Sequence, residues 1–199
     1  MNNPELIKKS LSQTQSVFNK SFSSESFLHS IDKAATLLIN SYKKDGKVLL
    51  AGNGGSAADC QHICAEFVGR LNFDRKPLPA IALTTNTSNL TCIANDYGFD
   101  DVFLRQLEAL GCKNDTLIVY TTSGKSKNII KMISAGSNYV ANVIALAGEY
   151  TEEIEKYSDV VISVPSSETT KIQEVHAVIG HILCECVEET LFKRNRWEY

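Results

Sequence analysis

His62 and Glu66 lie four residues apart, in the helical segment that follows the run Leu50-Ala51-Gly52-Asn53-Gly54-Gly55-Ser56. Side chains four apart project from nearly one face of a helix, so an imidazole and a carboxylate there can pair, chelate a metal ion or relay protons. An isolated pair of this kind is ordinarily structural. Its position changes the reading, because the preceding glycines let the backbone approach a ligand without Cβ obstruction and aim free N–H groups from a helix start, which suits an oxyanion. A second run, Thr121-Thr122-Ser123-Gly124-Lys125-Ser126, follows another apolar stretch and gathers the hydroxyls of Thr121, Thr122, Ser123 and Ser126 around one glycine at a helix start. Such hydroxyls are common helix caps. Two loops of this composition at one edge of a sheet argue for phosphate binding instead.

A late helix carries Gln173 and His181. Eight residues separate them, about 12 Å along a straight helix and about 80° in rotation, so they do not easily converge on one small ion. A shared site would draw one of them from a neighbouring subunit. His176, between them, reads as an ordinary packed or surface histidine, and His29 has no supporting pattern. Together the pieces point to a phosphorylated small molecule that is transformed rather than merely held. Two other nucleotide motifs fail. Gly124-Lys125-Ser126 lacks the glycine that a triphosphate loop needs five positions earlier, where Val119 stands. The first loop fits G-x-G-x-x-A through Ala57, but the second strand ends in Leu83-Thr84-Thr85-Asn86, without the carboxylate that takes a ribose hydroxyl pair.

These groups need a frame. Short apolar runs at Val48 to Ala51, Ala80 to Leu83, Leu117 to Tyr120, Val143 to Leu146 and Val160 to Val164 alternate with helical segments. Five buried strands separated by helices predict an α/β fold with a doubly wound parallel sheet. Right-handed crossovers leave the loops after successive strands at one edge, where open α/β sheets bind ligands. Residues 5 to 20 and 26 to 44 have helical spacing ahead of the first strand, with Phe27, Ile31, Ala34, Ala35, Leu38 and Ile39 as an apolar stripe. Lys171 to Phe192 forms a long terminal helix, with a broad apolar face for the domain or another subunit.

The 199 residues suit one core, without repeats or low-complexity linkers. Net charge is −3 with both signs interspersed, so no basic field invites nucleic acid. The basic tail Lys193-Arg194-Asn195-Arg196-Trp197 is short and reads as a helix end facing the negative pole of its dipole. Six cysteines without a C-x-x-C pair read as reduced intracellular thiols. No signal peptide or membrane-length run is present, which predicts a cytoplasmic protein without membrane contact.

The segments G-N-G-G-S-A-A-D-C-Q-H-I-C-A-E-F-V-G-R, I-A-N-D-Y-G-F at 93 to 99, T-T-S-G-K-S, and I-Q-E-V-H-A-V-I-G-H at 172 to 181 resemble the phosphoheptose isomerase branch of the sugar isomerase (SIS) domain family. The resemblance spans essentially the whole chain. It implies a flavodoxin-like SIS domain over residues 46–199, preceded by a helical extension over 1–45 that packs on the core and on neighbouring subunits. It also implies a homotetramer with active sites at subunit contacts. The implied reaction interconverts sedoheptulose 7-phosphate and D-glycero-D-manno-heptose 7-phosphate, the entry step to bacterial heptose for lipopolysaccharide or capsule. The family's metal pattern falls on His62, Glu66, Gln173 and His181, with one zinc per subunit expected, and its acid–base pair on Glu66 and His181. Its sugar-phosphate contacts fall on Asn53, Gly54, Gly55, Ser56, Glu66, Asn95, Asp96, Thr121, Thr122, Ser123, Ser126 and Gln173. Three positions depart from the pattern: Thr121 for a frequent Ser, Lys125 for a frequent Asn, and Thr170 for a common Asp. Lys125 either strengthens phosphate binding or faces solvent. Some SIS domains only bind sugar phosphates or associate with replication initiators; such modules have no physical need for a proton-transfer set, and both of its members are present here.

Overall fold

The first two helices are set by their caps. In a computed structural model, which describes residues 2–192, Asn2 accepts from the Glu5 N–H while Glu5 reaches back to the Asn2 N–H, opening α1 over Asn3–Phe22. Ser24 caps α2, Glu25–Lys43, by accepting from Phe27 N–H. The apolar stripe of α2 is buried as its spacing predicts: Phe27, Ile31, Ala34, Ala35 and Leu38 all lie in the core. The tail at 193–197, read above as a helix end, lies outside the described residues.

Five strands follow: β1 Val48–Gly52, β2 Ala80–Ala82, β3 Thr116–Thr121, β4 Asn142–Ala147 and β5 Val160–Ser163. All pair in parallel in the order β2-β1-β3-β4-β5. Helices α3, Gly55–Val68, and α7, Thr169–Phe192, join α2 on one face, while α4, Thr87–Asp96, α5, Leu104–Leu110, and α6, Lys127–Gly136, cover the other. Strand residues therefore alternate between two cores. Leu50, Ile118 and Tyr120 join the face with Leu38, Ile63 and Ile179, whereas Leu49, Leu117 and Val119 meet Ile129 and Met132. Burial on both faces explains why the three central strands β1, β3 and β4 read as apolar runs.

The order reverses between β1 and β3. The chain leaves β1 through α3 toward one side and leaves β3 through α6 toward the other. This opens a crevice beyond the carboxyl ends of the two strands, flanked by the loops Gly52–Ser56 and Thr121–Ser126. Helices α3 and α7 run side by side below it, and Gly180 allows their close approach: a Cβ there would sit 2.6 Å from Ile63 Cδ1. Among the described residues no helix is long and apolar enough to cross a membrane.

Candidate active site

Neither crevice loop caps its helix through the side chain at the N-cap position. Gly54 stands at the N-cap of α3 with φ +58°, a conformation that favours glycine, and supplies no side-chain cap. Ser126 stands at the N-cap of α6, and its hydroxyl makes no capping bond either. Helices α1, α2 and α4 are capped by the side chains of Asn2, Ser24 and Asn86. Capping is thus the wrong explanation for Ser126. A helix start whose N–H groups lack such a partner is an anion site in waiting.

A cleft of about 270 Å³ lies between these loops, lined by Asn53, Gly54, Gly55, Ser56, Tyr120, Thr121, Thr122, Ser126, Thr169 and Gln173. Its walls are held by side chains from both loops. Asn53 and Asn128 exchange two amide hydrogen bonds of 2.9 Å, and Asn128 Oδ1 also accepts from Ile129 N–H. The Thr121 hydroxyl accepts from Gly124 N–H at 3.2 Å, which leaves its own proton for a ligand. Asn53 is therefore a clip between loops as well as a lining residue. Gln173 lies so close to the first loop that a Cβ at Gly55 would come 2.5 Å from its Nε2.

The acid–base candidates gather farther along α3 and α7. The ligand atoms of His62, Glu66 and His181 all lie within 4.8 Å of one another. The two imidazoles meet edge to face with Nε2 atoms 2.8 Å apart, and Glu66 Oε1 lies 3.7 Å from His62 Nε2. Arg75 secures that end of α3: its guanidinium donates to the carbonyls of Glu66 and Phe67 at 2.8 and 2.9 Å. Glu188, fully buried, accepts from Arg75 Nε and from the N–H groups of Leu71 and Asn72.

The donor set of the triad fits zinc, since two imidazoles and a carboxylate are ordinary zinc ligands. Two such nitrogens on a tetrahedral zinc sit about 3.3 Å apart, so the histidine pair needs to open by only a few tenths of an ångström. Gln173 is not brought to this triad within one protomer; its amide is beside Gly55, as the helix spacing anticipates. Asn95 and Asp96, exposed at the end of α4, bond each other at 2.7 Å and do not line the cleft. Ser123 is exposed, and its hydroxyl accepts from Lys125 N–H. Lys125 lays its ammonium 4.5 Å from the centre of the Tyr150 ring, in a separate cleft with Glu149, Glu152 and Glu153. It does not line the cleft between the two crevice loops of this protomer.

His176 is fully buried, 3.3 Å from the Ala147 carbonyl, and burial lowers its pKa to about 4, against the opposing pull of that bond. Sequence reading missed Asn128, Thr169 and the Arg75–Glu188 pair. Asn128, Arg75 and Glu188 stand in no glycine or hydroxyl run, and only the tertiary fold brings them to the site; Thr169 does lie in a hydroxyl-rich run, Ser166-Ser167-Glu168-Thr169-Thr170, which was the signal for it. All six thiols are free.

Known proteins align with this arrangement. The sequence profile of the SIS domain family matches residues 15–148. A phosphoheptose isomerase from Sulfurimonas denitrificans is 46% identical over 188 residues, 94% of each chain. One from Burkholderia pseudomallei is 47% identical over 197 residues, 98% of this chain and 100% of that protein. The solved structure of phosphoheptose isomerase GmhA from Neisseria gonorrhoeae superposes with a TM-score of 0.88 at 37% identity, covering 94% of this chain and 100% of that one.

Proposed function

The chain belongs to the SIS domain family, on its phosphoheptose isomerase branch, and from that membership we propose that it interconverts D-sedoheptulose 7-phosphate and D-glycero-D-manno-heptose 7-phosphate through a cis-enediol. The observation that carries this reading is the placement of His62, Glu66 and His181 along α3 and α7, beyond an anion cleft at the start of the same helices. His62 lies seven residues past Gly55, about 10 Å along α3. An extended seven-carbon chain spans about 8 Å between its end carbons at about 1.5 Å per bond, so a 7-phosphate in the cleft delivers its carbonyl end to the triad.

The loop amides and the hydroxyls of Thr122 and Ser126 hold the phosphate, with Asn53, Gly54, Gly55, Ser56, Thr121, Ser123 and Gln173 completing its surroundings. Remote binding energy then fixes the register of the reacting carbons. Glu66 removes the proton beside the carbonyl and returns it to the neighbouring carbon, while His181 exchanges protons with the two oxygens. His62, Glu66 and His181 would hold one zinc ion per subunit, with Gln173 as a fourth donor only from another protomer. When bound, zinc supplies positive charge beside the carbonyl oxygen. Glu66 serves as base in the state in which its carboxylate is free of metal, because a dication lowers carboxylate basicity.

The protein acts in the cytoplasm as a homotetramer with sites at subunit contacts, where Asn95 and Asp96 reach the sugar, and supplies heptose for lipopolysaccharide or capsule. A helical extension at 1–45 serves that assembly, and residues 46–199 form the isomerase domain. A module that only binds sugar phosphate needs no imidazole–carboxylate cluster, which disfavours the regulatory alternative. Incubation with sedoheptulose 7-phosphate in deuterium oxide tests the proposal by NMR. Deuterium should enter beside the carbonyl as the aldose appears, with five- and six-carbon ketose phosphates turning over far more slowly; no exchange with the seven-carbon substrate would overturn it.

A further inference from the structure

Four buried side-chain atoms among the described residues have no hydrogen-bond partner, and three of them, Asp59 Oδ2, Tyr120 Oη and His176 Nδ1, belong to one region. Tyr120 rises from β3 and meets the His176 ring edge to face, with centroids 5.7 Å apart. Its hydroxyl lies along α7 beside Gly180, 3.1 Å from where a Cβ would stand. Ile63 of α3 packs on that same glycine. Asp59 and His176 each sit four residues, about one turn, before the Ile63–Gly180 crossing, so both stand one turn from the place that the Tyr120 hydroxyl approaches, on neighbouring helices. Tyr120 and His176 are 1% and 0% exposed. The Asp59 carboxylate acts electrostatically on the Tyr120 phenol, and burial raises the pKa of both.

Leaving three such buried atoms unpaired is costly, because each has lost its water without gaining a partner. Donor and acceptor types show what satisfies them. His176 is neutral and donates Nε2–H to the Ala147 carbonyl, so its Nδ1 is an acceptor. The Asp59 oxygen is an acceptor, and the Tyr120 hydroxyl can donate. One water molecule matches that inventory, giving its two protons to Asp59 and His176 and accepting from Tyr120.

We infer that Asp59, Tyr120 and His176 form a buried water site beneath the phosphate cleft, and that this node is a positioning device for the acid–base cluster. Two contributors lie between the two ends of the site on their own helices, Asp59 between Gly55 and His62 and His176 between Gln173 and His181, while Tyr120 adjoins Thr121 on its strand. Bridging them fixes the axial register of α3 against α7 and of both against β3. The phosphate-to-proton-transfer distance is set by that register.

The positioning role rests on the isomerase reading; the water site does not. A high-resolution crystal structure of the full chain should show one water within about 3.2 Å of all three atoms. Nitrogen-15 NMR should show His176 neutral with its proton on Nε2. Density without that water, or a proton on Nδ1, overturns the site whatever the enzyme turns over. Tyr120→Phe removes one bridge and should lower kcat about tenfold through misplacement, with affinity for inorganic phosphate changed far less than kcat, although Tyr120 also lines the cleft. An unchanged kcat alongside a lowered melting temperature overturns the positioning role and leaves a stability role only. Asp59→Asn, which keeps the shape and changes one acceptor, is the second variant should Tyr120→Phe fold poorly, and the same split in kcat and phosphate affinity decides it.

Discussion

In the proposed reaction three clustered side chains on two helices, His62, Glu66 and His181, carry the chemistry, and the roles of the acid–base pair separate by substitution. Glu66→Gln keeps the shape and removes the base, so kcat should fall by about 10²–10⁴-fold while sugar-phosphate affinity holds. His181→Gln should slow the oxygen proton transfers by a similar factor; deuterium exchange and aldose appearance measure both, with and without added zinc. Turnover of either variant at the wild-type rate would remove it from the acid–base pair. His176 makes a prediction of opposite character, about stability. Its pKa falls from 6.5 to about 4 on folding, so between those values the unfolded chain binds a proton that the folded one does not. The neutral, buried histidine therefore contributes stability that is intact above pH 6.5 and lost as pH falls toward 4, on the order of 3 kcal/mol. Urea unfolding of wild type and His176→Gln should show their stability difference shifting against the wild type across that window and levelling below it. Tyr120, whose ring meets this imidazole, is present in both proteins, so its own titration largely cancels in the difference.

At the scale of elements, two glycines in the crevice loops separate backbone strain from ligand access. Gly124 has φ +64°, and a Cβ there would collide with the Tyr150 carbonyl oxygen, so Gly124→Ala should cost about 1–3 kcal/mol of unfolding free energy. Gly55 needs no left-handed backbone, and its Cβ would meet the movable end of Gln173. Gly55→Ala should therefore melt near wild type and instead raise KM about tenfold, because the displaced amide narrows the phosphate cleft. Equal destabilisation of the two variants would contradict this division. Removing the carboxylate from the buried Arg75–Glu188 pair, as in Glu188→Gln, should destabilise by about 3–5 kcal/mol and free the turn that bears Glu66. All five strands and the α1, α2 and α7 helices were legible in the sequence, because burial on both faces makes unbroken apolar runs and one-sided burial makes stripes. Both loops that line the crevice were legible through their glycines and hydroxyls. The Asn53–Asn128 clip, the Arg75–Glu188 pair and the water node were not, because each joins residues far apart in sequence that carry no local pattern. Gln173 shows the same limit from the other side: helix spacing separated it from His181, but only coordinates placed it against Gly55.

For the whole molecule, the order β2-β1-β3-β4-β5 sets the crevice, and everything chemical hangs from the two elements leaving it on the α3 and α7 side. The N-terminal helix stands apart from that logic. It is tied to α7 by polar contacts: the Lys171 ammonium, nearly buried, donates to Ser10 and Thr14 at 3.2 and 2.7 Å, and the Thr14 hydroxyl donates to Glu174 at 2.8 Å. Its C-terminal apolar residues Val17, Phe18 and Phe22 pack on the core, whereas Leu6, Ile7 and Leu11 in its first half are exposed to solvent. A helix that spends its polar groups on its own domain and exposes an aliphatic group has its apolar face arranged for a second chain. If that chain is another copy, as the proposed homotetramer requires, the interface is closed by symmetry and charge placed in it repels itself. The Leu6→Asp, Ile7→Asp and Leu11→Asp triple variant should keep its far-ultraviolet circular dichroism, because these side chains are outside the core, yet show a smaller mass by light scattering. Isomerase activity should fall with the mass, since a site completed by a neighbour cannot work in an isolated protomer. A variant that kept both the assembled mass and the activity would move the interface off α1; one that dissociated while still turning over substrate would show that each protomer carries a complete site.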